Sequence, residues 1–215
     1  ATLDGWDLVG PSAVAYPQHA EPRALRADEV RAVTADFAAA ARRAAEAGYD
    51  VVELHGAHGY LIHEFLSPLS NTRTDEFGGS PEGRRRFALQ TAAAVREAVG
   101  GETVLGIRLS ATDWAEGGLT GEDTAELAPQ LVAAGVDVLH ISTGGNVPAQ
   151  VPVGPGYQVP FAAQVRRAVA DSTTPGGGRP VVVTVGVITE AAQAEQIVGT
   201  EQADAVAVGR PALRE

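Results

Sequence analysis

The sequence of 215 residues contains no cysteine, which excludes disulfide bonds, thiolate catalysis and cysteine-based metal sites. It also lacks any run approaching the ~18 consecutive apolar residues that a membrane-spanning helix needs. Basic residues are few beside acidic ones, because 16 Lys and Arg stand against 27 Asp and Glu, a formal net charge of -11. That charge would repel a phosphate backbone, so we expect no nucleic-acid partner, and we expect no membrane partner either.

The first ten residues show no feature of a secretory signal peptide. They lack a basic segment followed by an apolar one. We therefore expect a cytoplasmic protein. About 45% of the residues are apolar, which is enough to fill a sizeable core.

Five short segments rich in Val, Ile and Leu are typical of buried parallel strands. They are Tyr49–His55, Val104–Ser110, Val136–Ser142, Pro180–Gly186 and Ala203–Gly209. Helical patterns accompany them at Glu29–Glu46, Pro81–Val99, Thr120–Ala134, Val159–Ala170 and Glu190–Val198. Pro129 lies inside the third helical pattern and predicts a kink or a break there. The alternation predicts an α/β fold with a parallel sheet and right-handed crossovers.

An open doubly wound sheet and a closed barrel both satisfy this alternation. Polar and glycine residues gather where the predicted strands end, at His55, Arg108, Ser142, Gly186 and Gly209. Barrel enzymes build their sites from the loops at those strand ends, so the pattern favours a TIM (β/α)8 barrel. A closed barrel needs eight strands, and the five predicted ones correspond to about strands 4 to 8.

The domain organisation follows from that count. We predict one partial barrel domain over residues 1–215, with residues 1–27 as a loop region and 28–215 as strand–helix units. The chain starts at Ala1 rather than at a methionine, and it stops at Glu215 inside a predicted helix. We therefore expect it to be the C-terminal five-eighths of a longer protein.

The loop after the first predicted strand has the sequence His55-Gly-Ala-His-Gly-Tyr60. Neutral imidazoles at His55 and His58 can donate two hydrogen bonds to one carbonyl oxygen and stabilise the enolate formed when hydride adds. Tyr60 can deliver a proton to the adjacent carbon as a general acid. His63 falls on the following short helix and is predicted to be structural.

A metal site is the alternative for this loop. His55 and His58 have a spacing that can supply two ligands, and some barrel enzymes are metal-dependent. His140 is the only further candidate ligand at the strand ends, and Arg108 would place a fixed cation beside the metal. We predict no metal ligands, and a metal-dependent lyase or hydrolase stays open as the second hypothesis.

The last two predicted strands have features of a phosphate site. The loops after strands seven and eight of a barrel often bind phosphate. Gly186 and Gly209 would let backbone amides approach a phosphate closely, and Arg210 would add a charge-assisted contact. Arg108 lies inside a strand and therefore needs an anionic partner. That partner is either the pyrimidine edge of a flavin or a carboxylate of the core.

Several segments together resemble the signature of the old yellow enzyme (NADH:flavin oxidoreductase) family. They include His55-x-x-His-Gly-Tyr-Leu, Phe65-Leu-Ser-Pro, Asn71-x-Arg-x-Asp, Arg108-Leu-Ser, Asp113-Trp-x-x-Gly-Gly, Ser142-Thr-Gly-Gly and Val208-Gly-Arg. The His/His pair and the segment Pro155-Gly-Tyr-Gln resemble the bacterial, thermophilic-like branch more than the yeast-like one. The resemblance runs from about Pro11 to the end of the chain.

The resemblance implies a bound FMN, reduction by NAD(P)H and hydride transfer to an activated alkene of the α,β-unsaturated carbonyl (enone) type. It assigns His55 and His58 to the substrate carbonyl and Tyr60 to protonation. It assigns Arg108 to the flavin ring, and the FMN phosphate to Gly186, Gly209 and Arg210. A homo-oligomer is expected for the full-length protein, and the present chain alone is expected to be inactive. A non-catalytic barrel remnant is the third hypothesis.

Overall fold

The computed structural model describes residues 7–213. Its first elements are two short strands, β1 (Val9–Gly10) and β2 (Arg23–Ala24), which pair in parallel. The sequence predicted only loop over residues 1–27, so this pairing corrects that expectation. The backbone N–H of Arg23 donates to Leu8 O at 2.8 Å, and the Arg23 side chain pairs with Asp7 at 2.9 Å. Two residues per strand are too few to give a period-two pattern, which is why the sequence gives no signal there.

A five-stranded parallel sheet follows, and its strands lie in the order of the chain. They are β3 (Val51–Gly56), β4 (Val104–Ser110), β5 (Val138–Ser142), β6 (Val181–Thr184) and β7 (Ala205–Val206). All five predicted strands are therefore present. A doubly wound sheet reverses its strand order at a switch point, whereas a barrel adds strands in sequence, so this order fits a barrel.

The predicted strand ends differ from the observed ones at several positions. The strand predicted from Tyr49 starts later, because the N–H of Tyr49 donates to Ala44 O at 3.1 Å and so completes the end of the preceding helix. The last strand is only two residues long, yet the N–H of Asp204 donates to Val182 O and that of Ala207 to Thr184 O, each at 2.8 Å. The backbone pairing of β6 and β7 thus extends beyond the regular strands.

Six α-helices connect or flank the strands, and a short 3-10 helix (Arg210–Leu213) closes the described chain. The helices are α1 (Ala27–Glu46), α2 (Leu61–Leu66), α3 (Pro81–Val99), α4 (Gly121–Ala133), α5 (Val159–Ala168) and α6 (Ala191–Gly199). Ser80 and Thr120 cap α3 and α4, since each side chain accepts from a backbone N–H in the first turn. None of the helices within residues 7–213 is long and apolar enough to cross a membrane.

The expected break at Pro129 does not occur, because α4 runs continuously from Gly121 to Ala133. Proline removes one hydrogen bond from a helix. Leu127, Ala128 and Leu131 on the same helix are almost completely buried. Burial of this face in the core outweighs the missing bond, since tertiary contacts supply most of the stability of a helix in a protein.

Three phenylalanines fix α2 against α3. Phe65 on α2 lies with its ring centroid 4.5 Å from that of Phe87 on α3 and 6.4 Å from that of Phe77 in the intervening loop. All three side chains are fully buried. Aromatic pairs at these separations add to the free energy of area burial. The cluster therefore holds α2, and with it the loop that joins β3 to α2, in a defined position.

Polar side chains lie side by side across the face of the sheet. His55, Arg108 and His140 are register partners on β3, β4 and β5. The imidazole Nδ1 of His140 lies 3.1 Å from Oε1 of Glu53. In the described part of the chain, the outer edges of β3 and β7 pair with no further strand.

We predict that residues 1–215 produced alone self-associate. The outer edges of β3 and β7 offer free backbone donors and acceptors, and Val51 on β3 is 54% exposed, which invites pairing with another chain. Size-exclusion chromatography with light scattering and added FMN measures this. A monodisperse monomer that co-elutes with FMN at one-to-one stoichiometry would contradict the prediction.

Candidate active site

The structure brings the two predicted histidines and the predicted tyrosine together at the end of β3. The ring centroids of His55 and His58 are 5.3 Å apart, and those of His55 and Tyr60 are 5.1 Å apart. Both imidazoles are half-buried, whereas Tyr60 is 63% exposed. The three side chains therefore form one cluster with an accessible phenol.

The backbone of this loop has an uncommon conformation. His58 and Gly59 have φ angles of 58° and 75°, in the left-handed region that only glycine adopts freely. A Cβ on Gly59 would lie 2.4 Å from Gly145 O, so glycine is required at that position. The N–H of His58 donates to Ser110 Oγ at 3.0 Å, and this hydroxyl donates to Gly144 O at 2.7 Å. The loop after β3 is thus locked against the loop after β5.

A chain of hydrogen bonds determines which nitrogen of His58 carries the proton. Val185 O can only accept, so the Gln158 amide nitrogen donates to it at 3.1 Å and the Gln158 oxygen faces Ser142. The Ser142 hydroxyl donates to that oxygen at 3.1 Å, and its Oγ lies 2.8 Å from His58 Nε2. Since Ser142 has used its hydrogen, it accepts from His58. The neutral imidazole of His58 therefore carries its proton on Nε2.

Both imidazoles are held in the neutral form. Burial, assisted by the positive charge of Arg108, lowers the pKa of His58 from 6.5 to about 4. The same two causes lower the pKa of His55. At neutral pH the pair can therefore donate hydrogen bonds without bringing a positive charge of its own.

A cleft of about 670 Å³ lies at the carboxyl ends of the strands, beside this cluster. Five of the seven predicted site residues line it: His58, Arg108, Gly186, Gly209 and Arg210. His55 and Tyr60 do not line it, and His58 links them to it through the contact between the two imidazoles.

Sequence reasoning assigned no site role to five polar residues that also line the cleft: Ser142, Thr143, Tyr157, Gln158 and Thr189. Thr143 donates to the Gln158 oxygen at 2.9 Å, as Ser142 does, so these side chains form one network. The signal was present in Ser142-Thr-Gly-Gly at a strand end and in Pro155-Gly-Tyr-Gln. The contact between the two segments depends on how the loop after β5 folds back, which spacing does not show.

Two observations test whether these residues fit FMN. The guanidinium Nε of Arg108 is buried and has no hydrogen-bond partner, and Arg108 makes no ion pair with any described carboxylate. An anionic group in the cleft would supply the partner that such a charge needs. A Cβ on Gly209 would meet no atom within 4 Å, which leaves room for a phosphate beside the exposed Arg210. The residues present fit the group.

Gly186 differs from Gly209 in its surroundings. Its φ of 123° favours glycine, and a Cβ there would lie 2.7 Å from the Gln158 amide nitrogen. Its carbonyl accepts from the N–H of Gly156 at 2.9 Å. Glycine is thus needed at this position for close packing against the loop before α5.

No group of three His, Cys, Asp or Glu side chains within residues 7–213 is arranged to hold a metal ion. His140, the third candidate ligand, pairs instead with Glu53.

A parallel sheet with sequential strand order and a polar cleft at its carboxyl edge defines an enzyme-like barrel segment. The family model for the NADH:flavin oxidoreductase / NADH oxidase family matches residues 6–215, and the chain belongs to that family. The predicted membership in the old yellow enzyme family is confirmed. The predicted cofactor, FMN with NAD(P)H as reductant, is confirmed at the level of the family.

Similar proteins agree with this assignment. NADPH dehydrogenase of Listeria welshimeri is 44% identical over 215 residues, which are 100% of this chain and 60% of that protein. The structure of morphinone reductase superimposes with a TM-score of 0.77 at 31% identity, over 97% of this chain and 57% of that one. A complex of 2-naphthoyl-CoA reductase gives a TM-score of 0.83 at 29% identity, over 92% of this chain and 30% of that one.

These matches confirm the predicted fold class, a TIM barrel of which the chain forms part. The chain spans about 60% of the length of the curated relatives that it matches.

We predict that His58 titrates near pH 4 and that removing the charge of Arg108 raises its pKa. The folded value lies below the ordinary 6.5, so the unfolded chain binds the proton first, and the free energy of unfolding falls as pH drops from 6.5 toward 4. NMR titration of the imidazole in full-length protein with Arg108→Gln measures the shift. Arg179→Gln, a change of equal charge at an exposed position, is the control and should leave the titration unchanged. An unaltered His58 titration in Arg108→Gln would contradict the prediction.

Proposed function

We propose that the full-length protein is an FMN-dependent oxidoreductase that reduces activated alkenes, the α,β-unsaturated carbonyl compounds, with NAD(P)H as electron donor. One observation carries the proposal. Two neutral imidazoles and an accessible phenol cluster at one strand end, beside a cleft lined by Arg108, whose buried Nε has no hydrogen-bond partner among the described residues. Hydrogen-bond donors for a carbonyl oxygen, a proton donor and a site for an anionic ring are the parts this reaction requires.

Arg108, Gly186, Gly209 and Arg210 would hold FMN. Arg108 faces the cleft from β4 and would pair with the electron-poor edge of the ring, where negative charge develops on reduction. Gly209 and Arg210 line the same cleft after β7 and would receive the phosphate. FMN supplies the hydride chemistry when it is bound, and the chain supplies position and electrostatics.

His55 and His58 would bind the carbonyl oxygen of the substrate. A neutral donor strengthens its hydrogen bond as negative charge grows on that oxygen, which stabilises the transition state more than the ground state. Nε2 of His58 donates to Ser142 Oγ in the structure, so a substrate oxygen must share or replace that contact. Ser142 thus keeps the donor on Nε2 pointed toward the cleft before substrate arrives.

Tyr60 would protonate the carbon next to the carbonyl. Its phenol is exposed, and its ring lies against that of His55, so the proton donor and the carbonyl anchor belong to one rigid loop. Relatives support the reaction class, since two of the matched structures are named as reductases. The metal-dependent alternative gains no support from the described residues, because His140 pairs with Glu53. A visible flavin spectrum of the purified full-length protein separates the proposal from a non-catalytic remnant.

We expect Tyr60→Phe in the full-length protein to slow alkene reduction by ~10²–10⁴-fold, the usual value of a general acid, while flavin reduction by NAD(P)H stays nearly unchanged. The hydroxyl acts only in the half-reaction that protonates substrate. Stopped-flow measurement of the two half-reactions checks this, with Tyr49→Phe, an exposed tyrosine between α1 and β3, as a matched control. Equal losses in both half-reactions would remove Tyr60 from this role.

We expect His55→Ala to weaken phenolate binding and to slow alkene reduction together, because phenolates mimic the enolate oxygen. The binding free energy and the activation free energy should each become less favourable by about 3 kcal/mol. Titration of the flavin spectrum with a phenol measures the affinity. His19→Ala, in the exposed loop before β2, is the control. An unchanged phenol affinity in His55→Ala would show that another group anchors the carbonyl.

A further inference from the structure

A buried histidine–aspartate pair lies directly behind the loop that carries His58 and Tyr60. His63 on α2 and Asp113 in the loop after β4 are both completely inaccessible to solvent. His63 Nε2 lies 2.9 Å from Asp113 Oδ1, close enough for a hydrogen bond although the two atoms are not aligned for a linear one. Neither residue lines the cleft, so the proposed reaction does not use them directly.

The other nitrogen of His63 reaches the loop itself. The backbone N–H of Gly59 donates to His63 Nδ1 at 3.0 Å. An imidazole nitrogen that accepts carries no hydrogen, so the proton of His63 is on Nε2, facing Asp113. One ring thus connects a buried carboxylate to the peptide between His58 and Tyr60.

Asp113 keeps the proton of His63 on Nε2, because its Oδ2 is occupied by other donors and only Oδ1 faces the imidazole. Oδ2 accepts from Ser67 Oγ at 2.6 Å and from the N–H of Leu119 at 2.8 Å. Burial acts to raise the pKa of Asp113, but the contact with His63 and the two hydrogen bonds hold it below its ordinary value. A Cβ on Gly118 would lie 2.7 Å from Asp113 Oδ2, so glycine is required where the chain passes the carboxylate. Asp113 remains an ionised carboxylate whose Oδ1 faces Nε2 of His63 at 2.9 Å.

The loop after β3 needs support from other side chains because its backbone conformation is energetically unfavourable. His58 is a non-glycine residue at a φ of 58°, which carries an energetic cost, and Gly59 follows at 75°. Neither of their N–H groups finds a backbone acceptor. Ser110 Oγ accepts from one and His63 Nδ1 from the other. Side chains thus hold two successive peptides of the loop.

We propose that His63 and Asp113 are positioning residues, which hold His58 and Tyr60 in place by keeping an unprotonated Nδ1 of His63 opposite the N–H of Gly59. The inference rests on the proposed function for what His58 and Tyr60 bind. It assigns to His63 a role beyond the structural one that the sequence predicts.

Asp113→Asn tests the proposal with almost no change in shape. The N–H of Leu119 cannot reverse, so the amide oxygen of the new side chain must face it, and the NH2 group then faces His63 Nε2. His63 must accept on Nε2 and carry its proton on Nδ1, opposite the N–H of Gly59. Two donors then face each other, and we expect the loop to leave its position.

His63→Asn and His63→Leu form a matched pair of similar volume. The amide oxygen of Asn can take the place of Nδ1 and accept from Gly59, whereas Leu offers no acceptor. In full-length, FMN-loaded protein we expect Asp113→Asn and His63→Leu to weaken binding of para-nitrophenolate about ten-fold, and His63→Asn to retain most of it. A merely structural pair would lower the Tm of the variants and leave this affinity unchanged, and that outcome overturns the proposal. Equal loss in His63→Asn and His63→Leu also overturns it.

Nitrogen NMR of the histidine side chains in the unaltered protein provides a test that needs neither a variant nor the proposed function. We expect His63 to show an unprotonated Nδ1 and the Gly59 amide to exchange slowly. A protonated Nδ1 overturns the proposal. If the unaltered protein shows the expected His63 state but binds no nitrophenolate, the proposed carbonyl site is wrong and the support of the loop by His63 stands.

Discussion

The parallel register of the sheet is the constraint on which the rest of the structure depends. It places His55 beside Arg108 and Arg108 beside His140, so the carboxyl ends of β3, β4 and β5 present their polar side chains at one edge. A shift of one residue would turn every side chain of a strand to the other face. The buried Leu54, Ile107 and Leu139 prevent that shift, because it would bring them out of the helix-covered core.

The electrostatics of the site follow from that register. Arg108 has a buried, unpaired Nε on the inner face, and its charge adds to burial in lowering the pKa of both imidazoles of the cluster. The cluster at the end of β3 therefore combines the permanent charge of Arg108 with two neutral donors. Such a combination favours ligands that are anionic or that become so during reaction. The ionised carboxylate of Asp113 lies behind the loop, where Ser67 and the N–H of Leu119 donate to one oxygen and His63 Nε2 lies 2.9 Å from the other.

The interpretation of the sequence was accurate where a residue acts through its place on a strand. Strand existence, sequential order and the cluster of His55, His58 and Tyr60 all follow from periodicity and from polar residues at strand ends, and the structure agrees. The interpretation was wrong where contacts between residues distant in the sequence determine the local structure. Pro129 predicted a break that packing of α4 prevents, and the short pairing of β1 with β2 has no periodic signal.

The sequence by itself determined the fold class, the family and the set of residues at the strand ends, because these depend on local patterns along the chain. Only the tertiary structure decided which ring nitrogen carries the proton in His58 and in His63. Gln158 orients Ser142 and thereby His58, while Asp113 lies fifty positions from His63 and controls its tautomer through space. Protonation depends on the partners that surround a ring in three dimensions, and neither spacing nor composition records which side chains those are.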